Sequence, residues 1–126
     1  MKIKLDNEFC IRDFVKTDVD SLAAHANNKK IFDNVRDAFP FPYLKSDAKW
    51  WIQYTKTLIP CTHFAIATET ECIGGIGLEP QTDVHRFSAE IGFWLGEAYW
   101  HRGLMTQALN ALTEYAFEHY QWNRIY

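Results

Sequence analysis

Glu90 and the run Trp100-His101-Arg102-Gly103-Leu104 hold most of the chemistry legible in this chain. Glu90 lies inside Ala89-Glu90-Ile91-Gly92-Phe93-Trp94-Leu95, a β-type segment, where a carboxylate is a candidate general base. Just beyond it the sequence turns through His101-Arg102-Gly103 and opens an amphipathic helix. The first N–H groups of a helix have no acceptor within it, so a helix start reached through a glycine, beside Arg102, can hold a phosphate. A base next to an anion-binding helix start points to an enzyme that handles a phosphate-bearing cofactor. Glu97, in the turn between them, is a competing carboxylate. Its place favours capping N–H groups or meeting the helix dipole over proton transfer.

Other chemistries fall away. Ser21, Ser46 and Ser88 lack the flanking pattern of a nucleophile elbow. Gly74-Gly75-Ile76-Gly77 sits inside a strand pattern and precedes no helix, so it fails the context test for a dinucleotide fingerprint. Cys10, Cys61 and Cys72 are odd in number and unrelated in spacing, which suits small core thiols in a reducing compartment rather than a disulfide frame. His25, His63, His85 and His119 are scattered and read as surface or core residues rather than ligands, so no metal is expected. A net charge of −3 argues against a nucleic-acid partner. The N-terminus lacks an apolar signal core, and no apolar run approaches the ~20 residues of a membrane span. The expected protein is soluble, cytoplasmic and without a membrane partner.

The elements that must position Glu90 and the helix start follow from periodicity. With 126 residues, 48% hydrophobic and 16% aromatic, there is material for one domain and one core. Residues 9–14 alternate as a first strand. Thr17 then caps a helix, with Asp20 in the capping-box position, and Asn27-Asn28 end it. A short helix or turn covers residues 31–35. Phe39-Pro40-Phe41-Pro42-Tyr43 is an aromatic loop, because its prolines exclude helix interior. Ser46 and Asp47 cap a helix through Leu58, stopped by Pro60. Residues 63–68, 72–78 and 86–95 form an antiparallel meander on short links, with a turn at residues 69–71 and a loop at residues 80–84. Residues 104–120 carry Leu104, Ala108, Leu112, Tyr115 and Ala116 at helical spacing. Asn123-Arg124-Ile125-Tyr126 opens one more strand.

This order, with the segments Ala89 to Leu95 and Tyr99-Trp100-His101-Arg102-Gly103-Leu104-Met105-Thr106-Gln107-Ala108-Leu109, resembles the GNAT (general N-acetyltransferase) superfamily. The likeness is to the branch that acetylates ribosomal-protein N-termini. Phe9-Cys10-Ile11-Arg12-Asp13-Phe14 and Ile73-Gly74-Gly75-Ile76-Gly77-Leu78 also fit it. The resemblance implies a mixed α/β (α+β) fold, a mostly antiparallel sheet flanked by helices, as a single domain over residues 1–126. It implies acetyl-CoA as co-substrate and Glu90 as the base. It implies that the backbone of Phe93, Trp94 and Leu95 pairs with pantetheine, and that His101, Arg102, Gly103, Leu104, Met105 and Thr106 surround the pyrophosphate. The family signature Gln/Arg-x-x-Gly-x-Gly/Ala falls on Trp100 to Met105, where Gly103 matches and His101 and Met105 replace residues that are usually small. Family members also continue past the position of Tyr126, so the chain reads as lacking their C-terminal elements.

The implied activity is transfer of an acetyl group to a primary amine, either a protein N-terminal α-amine or a small-molecule amine, by direct attack. An α-amine (pKa ~8) loses its proton more readily than a lysine (pKa ~10.4), by about 3 kcal/mol, which slightly favours α-amines. The resemblance puts the acceptor side over residues 31–54, with Phe39, Phe41, Tyr43, Trp50 and Trp51. The other readings are a non-catalytic acyl-CoA-binding module and a self-associating truncated domain. A four-residue last strand leaves the stripe of Leu104, Ala108, Leu112 and Tyr115 bare, so the expected form is a homodimer or larger assembly, or a fragment of a longer chain.

Overall fold

A computed structural model describes residues 2–33, 40–58, 61–80, 88–120 and 124–125. Six strands form one sheet in sequential order: β1 (Lys2–Lys4), β2 (Cys10–Arg12), β3 (His63–Ala67), β4 (Cys72–Pro80), β5 (Ser88–Leu95) and β6 (Arg124–Ile125). The first five run antiparallel to their neighbours, and β6 lies parallel to β5. Helices α1 (Val19–Ala26), α2 (Lys29–Phe32) and α3 (Lys45–Thr57) fall between β2 and β3, and α4 (Leu104–His119) follows β5. This is the expected mixed, mostly antiparallel architecture. Strand β1 was not foreseen, because three residues of alternation are too few to stand out from a charged terminus.

Side chains alternate across each strand, so the sheet has two cores. On one face Phe64, Ile66, Ile76, Leu78, Ala89 and Leu95 meet α4 through Leu104, Ala108, Leu112 and Ala116. On the other, Ala65 and Cys72 meet Leu22, Ala23 and Ala26 of α1 and Ala48 and Ile52 of α3. The α4 stripe is therefore not bare. Leu104, Ala108, Leu112 and Ala116 are at most 3% exposed, and Tyr115 packs edge-on against Phe64 at 6.4 Å. The bare stripe, one of the two grounds for expecting self-association, is thus met by the sheet, since α4 lies over its middle strands.

Two helix starts depart from expectation. Thr17 is exposed and caps nothing, whereas Asp18 is buried and accepts from the Val15 N–H at 2.9 Å. Asp18 also takes both terminal nitrogens of Arg12, at 2.8 and 2.9 Å. A carboxylate able to satisfy three donors of neighbouring segments outcompetes a hydroxyl, so the chain forms a 3-10 turn at Lys16–Asp18 before α1. At α3, Asp47 alone caps, accepting from the Leu44 N–H at 2.8 Å; Ser46 sits in the first turn. The asparagine stop holds in full. Asn28 accepts from the Lys30 N–H to start α2, and Asn27 accepts from the Tyr43 N–H to pin the aromatic loop.

Elsewhere the elements match to within a residue or two. Thr68 N–H donates to Glu71 O at 2.9 Å to close the predicted turn. β4 runs on to Pro80, where a loop was expected. The short helix is shifted to Lys29–Phe32. Expectations at Val35, Phe39, Pro60, Val84, His85, Arg86, Asn123 and Tyr126 lie outside the described residues. All three cysteines are free thiols, and burial pushes Cys72 up to about 12. Among the described residues no helix is long and apolar enough to cross a membrane.

Candidate active site on strand β5

β5 places two kinds of site at its two ends. Glu90, Gly92 and Trp94 alternate onto the α1/α3 face, while Ile91, Phe93 and Leu95 point to the α4 face. Glu90 is half-buried and stands directly opposite Glu79 of β4. Next to it Gly92 has open space where a Cβ would be, which leaves room for a water or an amine beside the carboxylate. The floor of this region is made by the glycines of β4. Trp94 lies across Gly75, whose Cβ would meet the indole Nε1 at 2.6 Å. His63 lies across Gly77 from the opposite strand, in the register pair His63↔Gly77, and a Cβ there would collide with its ring. These two close approaches are what require glycine.

Of the histidines, His63, expected to be a surface or core residue rather than a ligand, is a largely buried strand residue with a carboxylate partner. Its Nε2 lies 2.8 Å from Glu79 Oε1, and Trp51 of α3 meets the ring edge-on at 5.2 Å. The signal that could have found it is the pairing of a strand histidine with a Gly-x-Gly in the next strand. Glu79 and His63 thus stand on the same sheet face as Glu90, a grouping that sequence reasoning did not bring together. Of the expected acceptor-side aromatics, Trp51 reaches this basin. Tyr43 is core, Phe41 stacks on Phe32 at 5.5 Å, and Trp50 is 63% exposed, stacked on Tyr54. Phe39 lies outside the described residues.

The other end of β5 leads into the helix start. Gly96 N–H donates to Ile73 O at 2.7 Å, and the Trp100 indole N–H donates back to Leu95 O at 2.7 Å, which folds the turn tightly. Gly103 is the residue before α4 and has φ +73°, a left-handed conformation that glycine adopts without penalty. His101 also has positive φ, +64°. Arg102 lies 5.4 Å from the centre of the Tyr99 ring. The first intrahelical bond runs from Gln107 N–H to Gly103 O, so the N–H groups of Leu104, Met105 and Thr106 precede the helical ladder. The first turn holds no acidic residue. A cavity of about 270 Å³ opens here, lined by Leu95, Tyr99 and residues 100–106. A second, of about 210 Å³, adjoins it over Phe93, Trp94, Leu95, Lys30 and Ile31, and Trp100 and Met105 line both.

Glu97 does not cap α4. It accepts from Asn28 Nδ2 at 2.9 Å and from Lys30 Nζ at 2.7 Å, tying α2 to the turn. The Lys30 contact first, then Asn28, hold its carboxyl below the usual range. The expected site residues therefore fall into two groups. Phe93, Trp94, Leu95, His101, Arg102, Gly103, Leu104, Met105 and Thr106 share one groove, and Glu90 stands on the sheet face behind it. An unopposed helix start, a left-handed glycine and a groove along a strand suit a long ligand with phosphates at one end. Among the described residues no group of three or more His, Cys, Asp or Glu side chains could hold a metal ion.

On this geometry the class follows. Residues 8–126 match the family model described as "Acetyltransferase (GNAT) domain", and the chain belongs to that family. Solved structures agree in fold. RimL, a ribosomal L7/L12 alpha-N-protein acetyltransferase solved with coenzyme A, superposes with TM-score 0.82 at 19% identity, over 99% of this chain and 72% of that one. The microcin C7 self-immunity acetyltransferase MccE, solved with acetyl-CoA and AMP, gives 0.78 at 22% identity, over 98% and 70%. A GNAT-family acetyltransferase from Bacillus anthracis gives 0.77 at 18% identity, over 99% and 71%. A search of curated proteins finds no match.

Proposed function

We propose that this chain, acting as one GNAT domain over residues 1–126, transfers an acetyl group from acetyl-CoA to a primary amine, with Glu90 as general base. The carrying observation is a single strand. β5 presents Glu90 to an open glycine-floored basin on one face, and its far end leads into the helix start. β6 pairs with β5 only at Ser88 and Ala89. Past Ala89 no described strand lies on that side, which leaves the backbone of Phe93, Trp94 and Leu95 available to an extended ligand arm as if to an added strand.

Bound there, acetyl-CoA supplies an activated acyl carbon and a thiolate leaving group. The N–H groups of Leu104, Met105 and Thr106 hold the phosphates, and Arg102 and the helix dipole add positive potential. A backbone N–H of Phe93 to Leu95 faces the thioester oxygen and stabilises the charge that develops on it. Glu90 takes the proton from the incoming amine nitrogen, directly or through a water over Gly92. The acceptor amine enters over Gly92, beside the His63 ring that covers Gly77, with Trp51 and Trp94 as walls. Relatives in this fold act on protein N-termini, as the RimL name states, and an α-amine is the acceptor we favour.

Calorimetry with acetyl-CoA, followed by thiol release over a panel of peptide α-amines and small alkylamines, tests the reading. Binding with turnover of at least one α-amine is expected. Binding without turnover leaves an acyl-CoA-binding module, and no binding removes the reading.

A further inference from the structure

Tyr99 has no part in the mechanism above, yet its ring is fixed by contacts from separate segments. Phe9, just before β2, meets it edge-on with ring centres 5.8 Å apart, and His25 of α1 does the same at 5.8 Å. From the turn between β3 and β4, Glu71 Oε1 accepts from the phenol O–H at 3.3 Å. Burial first, then the Glu71 charge, raise the phenol above its usual range, so the proton that makes this bond stays on it. His25 Nε2 lies 3.5 Å from the same carboxylate oxygen.

What this fixed ring presents is Arg102. The Arg102 Cζ lies 5.4 Å from the ring centre, within the range over which a guanidinium is attracted to an aromatic face. Both residues line the cavity of about 270 Å³ at the start of α4, together with Leu104, Met105 and Thr106. Arg102 is exposed, and among the described residues it makes no ion pair or hydrogen bond. Two carboxylates of neighbouring segments are held elsewhere, Glu97 by Lys30 and Asn28 and Glu71 by Tyr99 and His25. Contact through the ring leaves the guanidinium N–H donors unspent. A loose arginine loses rotamer freedom when it grips a ligand, whereas one already resting on a fixed surface loses less.

We propose that Tyr99 is a positioning residue for Arg102: its ring holds the guanidinium at the rim of the helix start, where it meets the cofactor's phosphates without first having to be ordered. The inference rests on the reading of that helix start as the phosphate site. Tyr99 acts through Arg102, while Phe9, His25 and Glu71 act on Tyr99 by fixing its ring.

Calorimetry with acetyl-CoA compares wild type, Tyr99→Leu, Tyr99→Phe, Arg102→Met and the double variant of Tyr99→Leu with Arg102→Met, each checked for fold by circular dichroism. Arg102→Met weakens binding about 3- to 10-fold, and Tyr99→Leu about 2- to 5-fold. Tyr99→Phe keeps the ring and stays within about twofold of wild type. The double variant binds as Arg102→Met does, since the ring acts only through the guanidinium. A purely structural Tyr99 would add its full loss in the Arg102→Met background, and that result overturns the inference. Unchanged affinity in Tyr99→Leu or in Arg102→Met overturns it as well, and leaves the helix start as the phosphate site. A wild type that does not bind acetyl-CoA removes that reading, and the inference with it. Should Tyr99→Leu fail to fold, proton NMR of the wild type decides. Shielding by the ring moves the Arg102 side-chain protons upfield, assigned by comparison with Arg102→Met, and the shift persists when CoA is bound. Its absence, or its loss on binding, overturns the inference.

Discussion

The two ends of β5 are built in opposite ways. Toward α4 the groove is made of backbone: a left-handed glycine, a helix start and a strand flank unpaired among the described residues. Toward β3 the basin is made of side chains: Glu90, Glu79, His63 and two tryptophans over bare glycines. A backbone site tolerates changes of residue type that leave its φ and ψ intact. This is how His101 and Met105 stand in a signature where small residues are usual. His101 is exposed at the rim, and Met105 fills the wall between two cavities. A side-chain site has no such latitude, because each function sits on one atom.

The sharpest way to break this contrast is at Glu90. Glu90→Gln keeps the shape and removes the base, so turnover falls about 10²-fold or more while acetyl-CoA affinity holds. Steady-state thiol release together with calorimetry reads both numbers. Unchanged turnover at saturating amine would show that the basin is not where the proton goes.

At the other end the expected effects are smaller and fall on binding. Gly103→Asp sets a carboxylate against the phosphates and forces a left-handed φ on a non-glycine residue, weakening acetyl-CoA about tenfold or more. His101→Gly removes a whole side chain yet keeps the positive φ, and affinity changes by less than about threefold. A larger loss at His101 than at Gly103 would mean that side chains, not backbone, hold this end.

The smallest effect concerns the tie between α2 and the turn. Glu97 is held below its usual range by Lys30 and Asn28. A carboxyl depressed in the folded state contributes stability above its unfolded pKa and loses it as pH falls through the folded value. The melting-temperature difference between wild type and Glu97→Gln should therefore shrink as pH drops below about 4, and also in high salt, since the group is exposed. A difference constant from pH 7 to pH 3 would exclude the tie.

Periodicity and the motif resemblance made the meander, α4 and the Gly103 helix start legible. Those features depend on local pattern, on apolar residues at fixed spacing and on a glycine before a helix. What stayed hidden depends on pairs far apart in the chain. Asp18 replaces Thr17 at its helix start because Arg12, on another element, needs a partner. The Glu79–His63 contact exists because β3 and β4 align His63 with Gly77, a register that no single strand encodes. The coverage of α4 was missed for the same reason, since its stripe looks bare until the sheet is laid beneath it.

The glycines of β4 have a further consequence for how the space on this face can change over time. A floor without side chains imposes no shape of its own, so the space above it is set by the rings that overhang it. His63 is set against Glu79, and Trp94 bounds the space over Gly75. A smaller residue there widens the basin by a single codon change, with the strand path and the helix start untouched. Under the proposed activity, preference for one amine over another can then drift while the groove at the helix start stays intact.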